Sequence, residues 1–211
     1  MSKKNSTAGL ILNIIIVIFT VIGIILMVTG SPESGNLHAS GIENFKFYTV
    51  LSNVYCGIVS AIYLVFALLK KNTEKLRALK LSAVCGVVIT FAVVAFMFGP
   101  LYGWLRFYKG GNLYFHLLEP VAAVVEFLIV RRDRMPFRYA VLAAVPTLLY
   151  AIGYTANIII NGIGDAWPDS NDFYGFLNWG WGGGIAIFFG VPLLSFGIAC
   201  IFRAVSNRRA A

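Results

Sequence analysis

Six stretches of the chain are almost continuously apolar, and polar turns or loops separate each stretch from the next. A membrane-crossing helix needs roughly 20 predominantly apolar residues, and each stretch is about that long. They cover residues 8–29, 46–69, 80–102, 112–130, 138–161 and 179–202. Membrane β-strands are shorter and alternate polar with apolar positions, so the pattern favours helices. It predicts an all-α polytopic membrane protein, a single integral membrane domain over 1–211 built as a bundle of six transmembrane helices.

The composition favours a membrane over an aqueous environment. Hydrophobic residues make up 59% of the 211 residues and charged residues only 12%, with a mean hydropathy of +0.80. Soluble domains carry about a quarter charged residues, so a soluble fold is not expected. Lys3 and Lys4 before the first apolar stretch look like the start of a signal peptide. That stretch is longer than a signal h-region and ends in no small-x-small site, so it is interpreted as an uncleaved first span.

The net charge of +8 is distributed like a topology signal. By the positive-inside rule, both termini are predicted to be cytoplasmic. Contact with anionic lipid accounts for this charge, so no nucleic-acid partner is expected. The basic side of the predicted bundle carries fourteen of the 17 Lys and Arg residues, namely Lys3, Lys4, Lys70, Lys71, Lys75, Arg77, Lys80, Arg131, Arg132, Arg134, Arg138, Arg203, Arg208 and Arg209.

The three connections on the opposite side differ from the basic ones in composition. Residues 30–45 contain Gly, Ser and Pro, 103–111 are aromatic and Gly-rich, and 162–178 are acidic and aromatic. Loops of this kind often cover a functional site, and 162–178 is predicted to do so here. An aromatic belt at the membrane interface, joined by polar turns, is the alternative interpretation.

Three ionisable residues lie in the fourth stretch, where such residues are costly and usually functional. His116 and Glu119 are three residues apart, so they are predicted to share one helix face. Glu126 lies two helical turns beyond Glu119 on the same predicted stripe, which should face the bundle interior. Pro120 lacks a backbone donor and is expected to free a carbonyl one turn earlier.

The second stretch opens with FKFYTVLSN, which places a hydroxyl and an amide one helical turn apart, at Thr49 and Asn53. At about 1.5 Å per residue, both lie at the depth of His116 and Glu119. A hydroxyl attacks weakly unless a base takes its proton, and imidazole suits that task near neutral pH. Thr49 is therefore a candidate nucleophile and His116 its base. Glu119 is a candidate to orient the imidazole, and Asn53 or Ser52 to assist the oxyanion.

Bonding within or between helices is the ordinary alternative for these polar residues. A Thr in a membrane helix usually donates to the carbonyl four residues earlier, and Ser or Asn often joins two helices. On this interpretation Glu119 simply pairs with His116, and Glu126 is structural. The cysteines lie in apolar runs without metal-ligand spacing and are interpreted as packing residues, at Cys56, Cys85 and Cys200.

Two motifs follow one another along the chain, F-x-F-Y-T-x-x-S-N over 45–53 and N-x-x-x-H-x-x-x-P over 112–120. A late D-x-Y-x-F-L element occupies 172–177. In order and placement they resemble the androgen-induced (FAR-17a) family of multi-pass membrane proteins and its bacterial Pr6Pr-type relatives, over nearly the whole chain. Bacterial relatives commonly carry a YPYPFLD-like run in the late element. This chain departs from it with DFYGFLNWG, where Asn178 stands at the place of the aspartate.

The resemblance implies a threonine-type lipid hydrolase with Thr49 and His116 as its essential pair. Animal members cleave fatty acid esters of hydroxy fatty acids, so a lipid substrate drawn from the bilayer is implied, without metal or cofactor. The bacterial relatives imply a bacterial cytoplasmic membrane. The residues expected around the substrate are Tyr48, Asn112, Tyr114, Glu126, Asp172 and Tyr174.

Three other functions fit the same residues. A metal-dependent lipid hydrolase needs a ligand cluster, for which the intramembrane residues and the outer aspartates are a poor set. A proton-coupled transporter of a small molecule or lipid would use His116, Glu119 and Glu126 as a relay. A non-catalytic lipid-binding protein would keep its properties without the Thr49 hydroxyl.

Overall fold

The computed structural model describes residues 7–30, 39, 41–130, 134–165 and 170–210. The described residues are 87% helical and include six helices long and apolar enough to cross a membrane, which confirms the predicted six-helix bundle. No strand occurs within the described ranges. The protein is therefore an integral membrane protein. Some residues used to predict its orientation lie outside the described ranges, namely Lys3, Lys4, Arg131 and Arg132.

Four of the six helices begin and end within two residues of their predicted first and last residues. Helix α3 begins at Thr73 rather than 80, and α6 continues to Arg209 rather than 202, because good helix formers extend a helix beyond its apolar part. A short 3₁₀ turn, Gly41–Lys46, precedes α2. In chain order the helices are α1 Thr7–Thr29, α2 Tyr48–Leu68, α3 Thr73–Leu101, α4 Gly110–Ile129, α5 Phe137–Asn161 and α6 Phe176–Arg209.

Helix α3 is the centre of the bundle. It packs against α2, α4, α5 and α6, while α1 packs on α2 and α4, and α5 packs on α6. Small side chains on α3, such as Ala83 and Gly86, are buried there and allow neighbouring backbones to approach closely. Large apolar side chains such as Ile11 and Leu193 are exposed on the outer helices, where they face lipid.

Helix direction alternates along the chain, so one end of the bundle carries the connections 30–47, 102–109 and 162–175. This end, opposite the termini, is called the loop end below. Two helices contain a π-helical turn close to it, Val94–Phe98 in α3 and Tyr114–Leu118 in α4. A π turn adds one residue to the helical register, so the side chains on its two sides are rotated relative to one another. Such turns are found frequently at functional sites.

The half of the bundle nearer the termini contains a buried ion pair. The Lys80 ammonium lies 3.7 Å from a carboxylate oxygen of Glu126, and both side chains are almost fully buried. Lys80 also donates hydrogen bonds to Asn13 and, at 3.1 Å, to Ser60, and the Asn13 amide donates to Glu126 at 3.0 Å. Lys80, counted among the basic residues on the side of the termini, lies in this half of the bundle, but its ammonium is bonded inside the protein.

Candidate functional site

A cavity of about 110 Å³ lies at the loop end, enclosed by α2, α3, α4, α5 and α6. Its walls are mostly aliphatic and aromatic side chains, and its polar groups are hydroxyls and one imidazole. An apolar chamber with a few polar groups is typical of sites for small or lipid ligands. The polar lining residues are Tyr48, Thr49, Thr90, His116, Thr147, Tyr150, Tyr154 and Tyr174.

Thr49 and His116, which the sequence matched by depth alone, both line this cavity. Thr49 comes from the first turn of α2, and His116 from the middle of the π turn of α4. Among the described residues no hydrogen bond joins the two side chains. Catalytic hydrogen bonds commonly tighten only when substrate is bound, so this separation is compatible with a shared reaction.

The imidazole of His116 is oriented by the backbone of the connection between α3 and α4. Its Nδ1 lies 3.2 Å from the carbonyl oxygen of Phe107. A carbonyl only accepts hydrogen bonds, so Nδ1 carries the hydrogen and Nε2 keeps its lone pair. The Phe107 ring also packs edge-on against the imidazole and stacks on Phe98. His116 therefore presents a basic nitrogen, and Phe107 is a positioning residue that the sequence did not reveal.

Glu119 does not orient His116, which corrects the prediction from their spacing. Its Oε1 accepts a hydrogen bond from Thr20 of α1 at 2.9 Å, and its Oε2 has no partner among the described residues. The π turn is the physical reason. The backbone N–H of Glu119 bonds to the Tyr114 carbonyl five residues earlier, so the extra residue turns Glu119 away from the face of His116.

Asn53 is not placed to assist an oxyanion, because its amide hydrogens are used within the protein. Nδ2 donates to the Thr49 carbonyl at 2.7 Å and to the Phe115 carbonyl at 3.0 Å. In the π register the Phe115 carbonyl would accept from residue 120, which is a proline without an N–H. Asn53 therefore satisfies the carbonyl that Pro120 leaves open, and so supports the turn that carries His116.

The Ser52 side chain does not point into the cavity that contains Thr49 and His116. Its hydroxyl donates to the Thr49 carbonyl at 3.1 Å. The side chain lines a second cavity, between α2, α3 and α5, and is not part of the lining of the first. The predicted oxyanion role of Ser52 therefore has no support in this arrangement.

The last loop covers the cavity through Tyr174 and Phe176, which both line it. Asp172 holds this cover in shape, since its carboxylate accepts from Tyr154 at 2.5 Å and from the backbone N–H groups of Phe176 and Leu177 at 3.0 and 2.8 Å. The predicted substrate contact of Asp172 is thus replaced by a structural role. Residues 166–169 of the predicted cover lie outside the described ranges.

The tyrosines of the cavity are joined by hydrogen bonds to the surrounding helices. Tyr174 Oη accepts the backbone N–H of Tyr48 at 2.8 Å, and Tyr150 donates to the Lys46 carbonyl at 2.7 Å. Tyr48 Oη lies 2.7 Å from Thr147 Oγ1, which itself donates to Ser195 at 3.2 Å. A threonine hydroxyl has one hydrogen, so Tyr48 donates to Thr147. The α5 residues Thr147, Tyr150 and Tyr154 were not predicted from the sequence, although their spacing of three, four and seven places them on one face.

Three residues predicted around the substrate lie elsewhere. The Tyr114 ring packs against Phe19 of α1, with centroids 5.6 Å apart. Glu126 belongs to the buried ion pair, and Asn112 is not among the residues that line the cavity. In the described part of the chain, no three His, Cys, Asp or Glu side chains come together as a metal-binding group.

Comparison with known proteins identified no relative of this chain. No family model, curated protein or solved structure matches the chain. The chemistry of the cavity is therefore derived from its own side chains.

Proposed function

We propose that this protein hydrolyses lipid esters inside the membrane, with Thr49 as nucleophile and His116 as general base. The observation that carries the proposal is that both side chains line one apolar cavity, with Nδ1 of His116 bonded to the Phe107 carbonyl. The motif resemblance to the FAR-17a family supports the same pair, and suggests fatty acid esters of hydroxy fatty acids as candidate substrates.

The reaction follows from the two side chains. Thr49 Oγ1 attacks the ester carbonyl carbon while Nε2 of His116 takes the hydroxyl proton, and the carbonyl electrons move onto oxygen. The tetrahedral intermediate then collapses to an acyl-threonine, and the alcohol leaves with the proton held by His116. Water, deprotonated by the same Nε2, attacks the acyl group. Collapse of the second intermediate releases the fatty acid and restores the Thr49 hydroxyl.

Tyr174 is the best candidate to stabilise the oxyanion in place of Asn53. Its oxygen accepts the Tyr48 N–H, so its own hydrogen can be donated to a neighbouring tyrosine or to a bound carbonyl oxygen. Burial raises the pKa of Tyr174 to about 12, so the phenol keeps this hydrogen at neutral pH. A phenol donor is a known type of oxyanion stabiliser.

Tyr174→Phe is expected to lower kcat by about 10²-fold, the effect of removing one oxyanion donor. Tyr114→Phe is the matched control, since Tyr114 packs on α1 away from the cavity, and it should retain full activity. Turnover of a long-chain fluorogenic ester measures both. Equal activity of the two variants would show that Tyr174 does not stabilise the oxyanion.

The identity of the nucleophile is tested by covalent labelling. The purified protein is treated with a fluorophosphonate, the labelled peptide is identified by mass spectrometry, and ester turnover is followed in parallel. We expect the label on Thr49, loss of label and turnover in Thr49→Ala, and partial retention in Thr49→Ser, because a serine hydroxyl can replace that of threonine.

Thr155→Ala provides the control for this experiment. The Thr155 hydroxyl donates to the Ala151 carbonyl at 2.8 Å, so it is the kind of threonine that merely bonds within its helix. It should label and turn over like the wild type. Turnover that survives in a folded Thr49→Ala protein would overturn the hydrolase proposal and favour a non-catalytic lipid-binding protein with the same cavity.

The buried glutamates give little support to a proton-coupled transporter. Such a transporter needs a polar path through His116, Glu119 and Glu126. Glu119 is bonded to Thr20, and Glu126 to Lys80 and Asn13, and none of these side chains lines the cavity. The hydrolase remains the function that the contacts favour.

The proposed orientation places both termini in the cytoplasm of a bacterial cell. Most of the described basic residues at helix ends and in connections lie at the end of the bundle near the termini, including Lys70, Lys71, Arg208 and Arg209. The cavity then lies in the outer half of the membrane, where it receives lipid from the outer leaflet.

A further inference from the structure

A second cavity of about 410 Å³ lies on the side of the bundle formed by α2, α3 and α5. Helix α3 packs against both of the others and forms its floor. Its mouth faces the surrounding lipid, since Leu51 on one wall and Leu149 on the other are 40% and 61% exposed. It is called the groove below.

Gly86 of α3 creates the depth of the groove. A Cβ atom at this position would lie 3.3 Å from Cβ of Ser52 and 3.5 Å from Oη of Tyr48. A larger side chain would therefore occupy the space between α2 and α5 that the glycine leaves open. The groove is thus a feature of the packed helices and does not depend on a mobile loop.

The groove and the catalytic cavity share one wall. Tyr48, Thr147 and Tyr150 line both spaces, and the 2.7 Å hydrogen bond between Tyr48 and Thr147 closes the partition. The groove has no Asp, Glu, Lys, Arg or His in its lining. A ligand held there would therefore lie against the back of Tyr48, one side chain away from the proposed nucleophile on the next residue of α2.

We propose that the groove binds one hydrocarbon chain of a bilayer phospholipid. The lining is uncharged, the mouth opens between exposed leucines at membrane depth, and the molecules that surround it there are lipid chains. Hydroxyls at the floor do not oppose this occupant, because Ser52, Ser82 and Thr147 already donate to partners in the protein. The binding site stands independently of the hydrolase proposal.

Photochemical cross-linking tests the occupant. The protein is reconstituted in phosphatidylcholine liposomes that contain a phosphatidylcholine with a diazirine on one acyl chain, irradiated, and mapped by mass spectrometry. We expect cross-links on Leu51, Tyr55 and Leu149 in excess of those on exposed residues of α1 and α6. Gly86→Leu fills the floor and should lower the groove cross-links by about tenfold, the change that 1.4 kcal/mol of lost affinity produces.

Gly153→Leu is the matched control, because its Cβ would meet no atom within 4 Å, and it should leave the cross-links unchanged. If Gly86→Leu does not fold, Leu149→Trp narrows the exposed mouth and should lower the same cross-links. Cross-linking at the wild-type level in the folded groove variants, or labelling no stronger than on α1 and α6, would overturn the proposal. Thr49→Ala should cross-link like the wild type, so failure of the hydrolase proposal is distinguishable.

Discussion

His116→Gln is expected to lower ester turnover by about 10³-fold, within the range that a general base contributes. The cavity lining contains hydroxyls but, apart from the His116 imidazole, no side chain that can accept the Thr49 proton. An amide can accept a hydrogen bond but cannot hold the Thr49 proton through the transition state. The measurement is kcat for a long-chain fluorogenic ester in lipid nanodiscs, with the thermal unfolding of each variant followed in parallel.

Rescue by a small molecule separates a chemical role of His116 from a structural one. His116→Ala leaves a space beside Phe107, and imidazole added to the buffer should restore part of its turnover, whereas Thr49→Ala should not respond. A folded His116→Gln protein with turnover within a few-fold of the wild type would contradict the assignment of the base.

Lys80→Met is expected to destabilise the bundle by about 3–5 kcal/mol, the cost of leaving one member of a buried ion pair without its partner. The Glu126 carboxylate would keep the Asn13 amide but lose the ammonium 3.7 Å away. The free energy of unfolding is measured by denaturant titration in mixed micelles. The cluster lies outside the cavity that Thr49 and His116 line, so on the hydrolase proposal a folded fraction of Lys80→Met should turn over ester at the wild-type rate.

Two further variants show whether the charge pair is responsible. Lys80→Met combined with Glu126→Leu removes both charges and should recover most of the lost stability, since apolar replacement of a whole buried pair is often neutral. Glu74→Gln breaks the partly exposed surface pair with Arg77, 3.0 Å apart, and should cost less than about 1 kcal/mol. A double variant as unstable as Lys80→Met would point to lost packing as the cause.

The six helices were predictable because each needs only a long apolar run, a property local to the sequence. The shared cavity of Thr49 and His116 was also within reach, because helical rise fixes depth along each span. The direction in which each side chain faces around its helix axis was harder to predict. In α4 it depends on the π turn at 114–118, which nothing in the composition indicates. Without that extra residue, the sequence predicted that Glu119 faces His116, whereas it faces Thr20.

The partners of the buried charges could not be predicted for a different reason. Lys80 stands at the edge of a basic segment and has the spacing of a topology signal. Its partners, Asn13 and Ser60, are 67 and 20 residues away along the chain, so only the packing of α1 on α2 and of α2 on α3 brings them together. The tyrosines of α5 did show a helical periodicity, but their function depends on which helix they face.

Asn53 gives the site a mechanical property. The helix that carries the proposed nucleophile also clamps the turn that carries the proposed base, through the bond from Asn53 to the Phe115 carbonyl. A displacement of α2 would therefore strain this hydrogen bond and act directly on the π turn that carries His116. The last loop is bonded to the first residue of α2 through Tyr174, which accepts the Tyr48 N–H, and to α5 through the Tyr154 hydroxyl. Displacing this loop would therefore also move Tyr174, the proposed oxyanion donor, away from the proposed nucleophile.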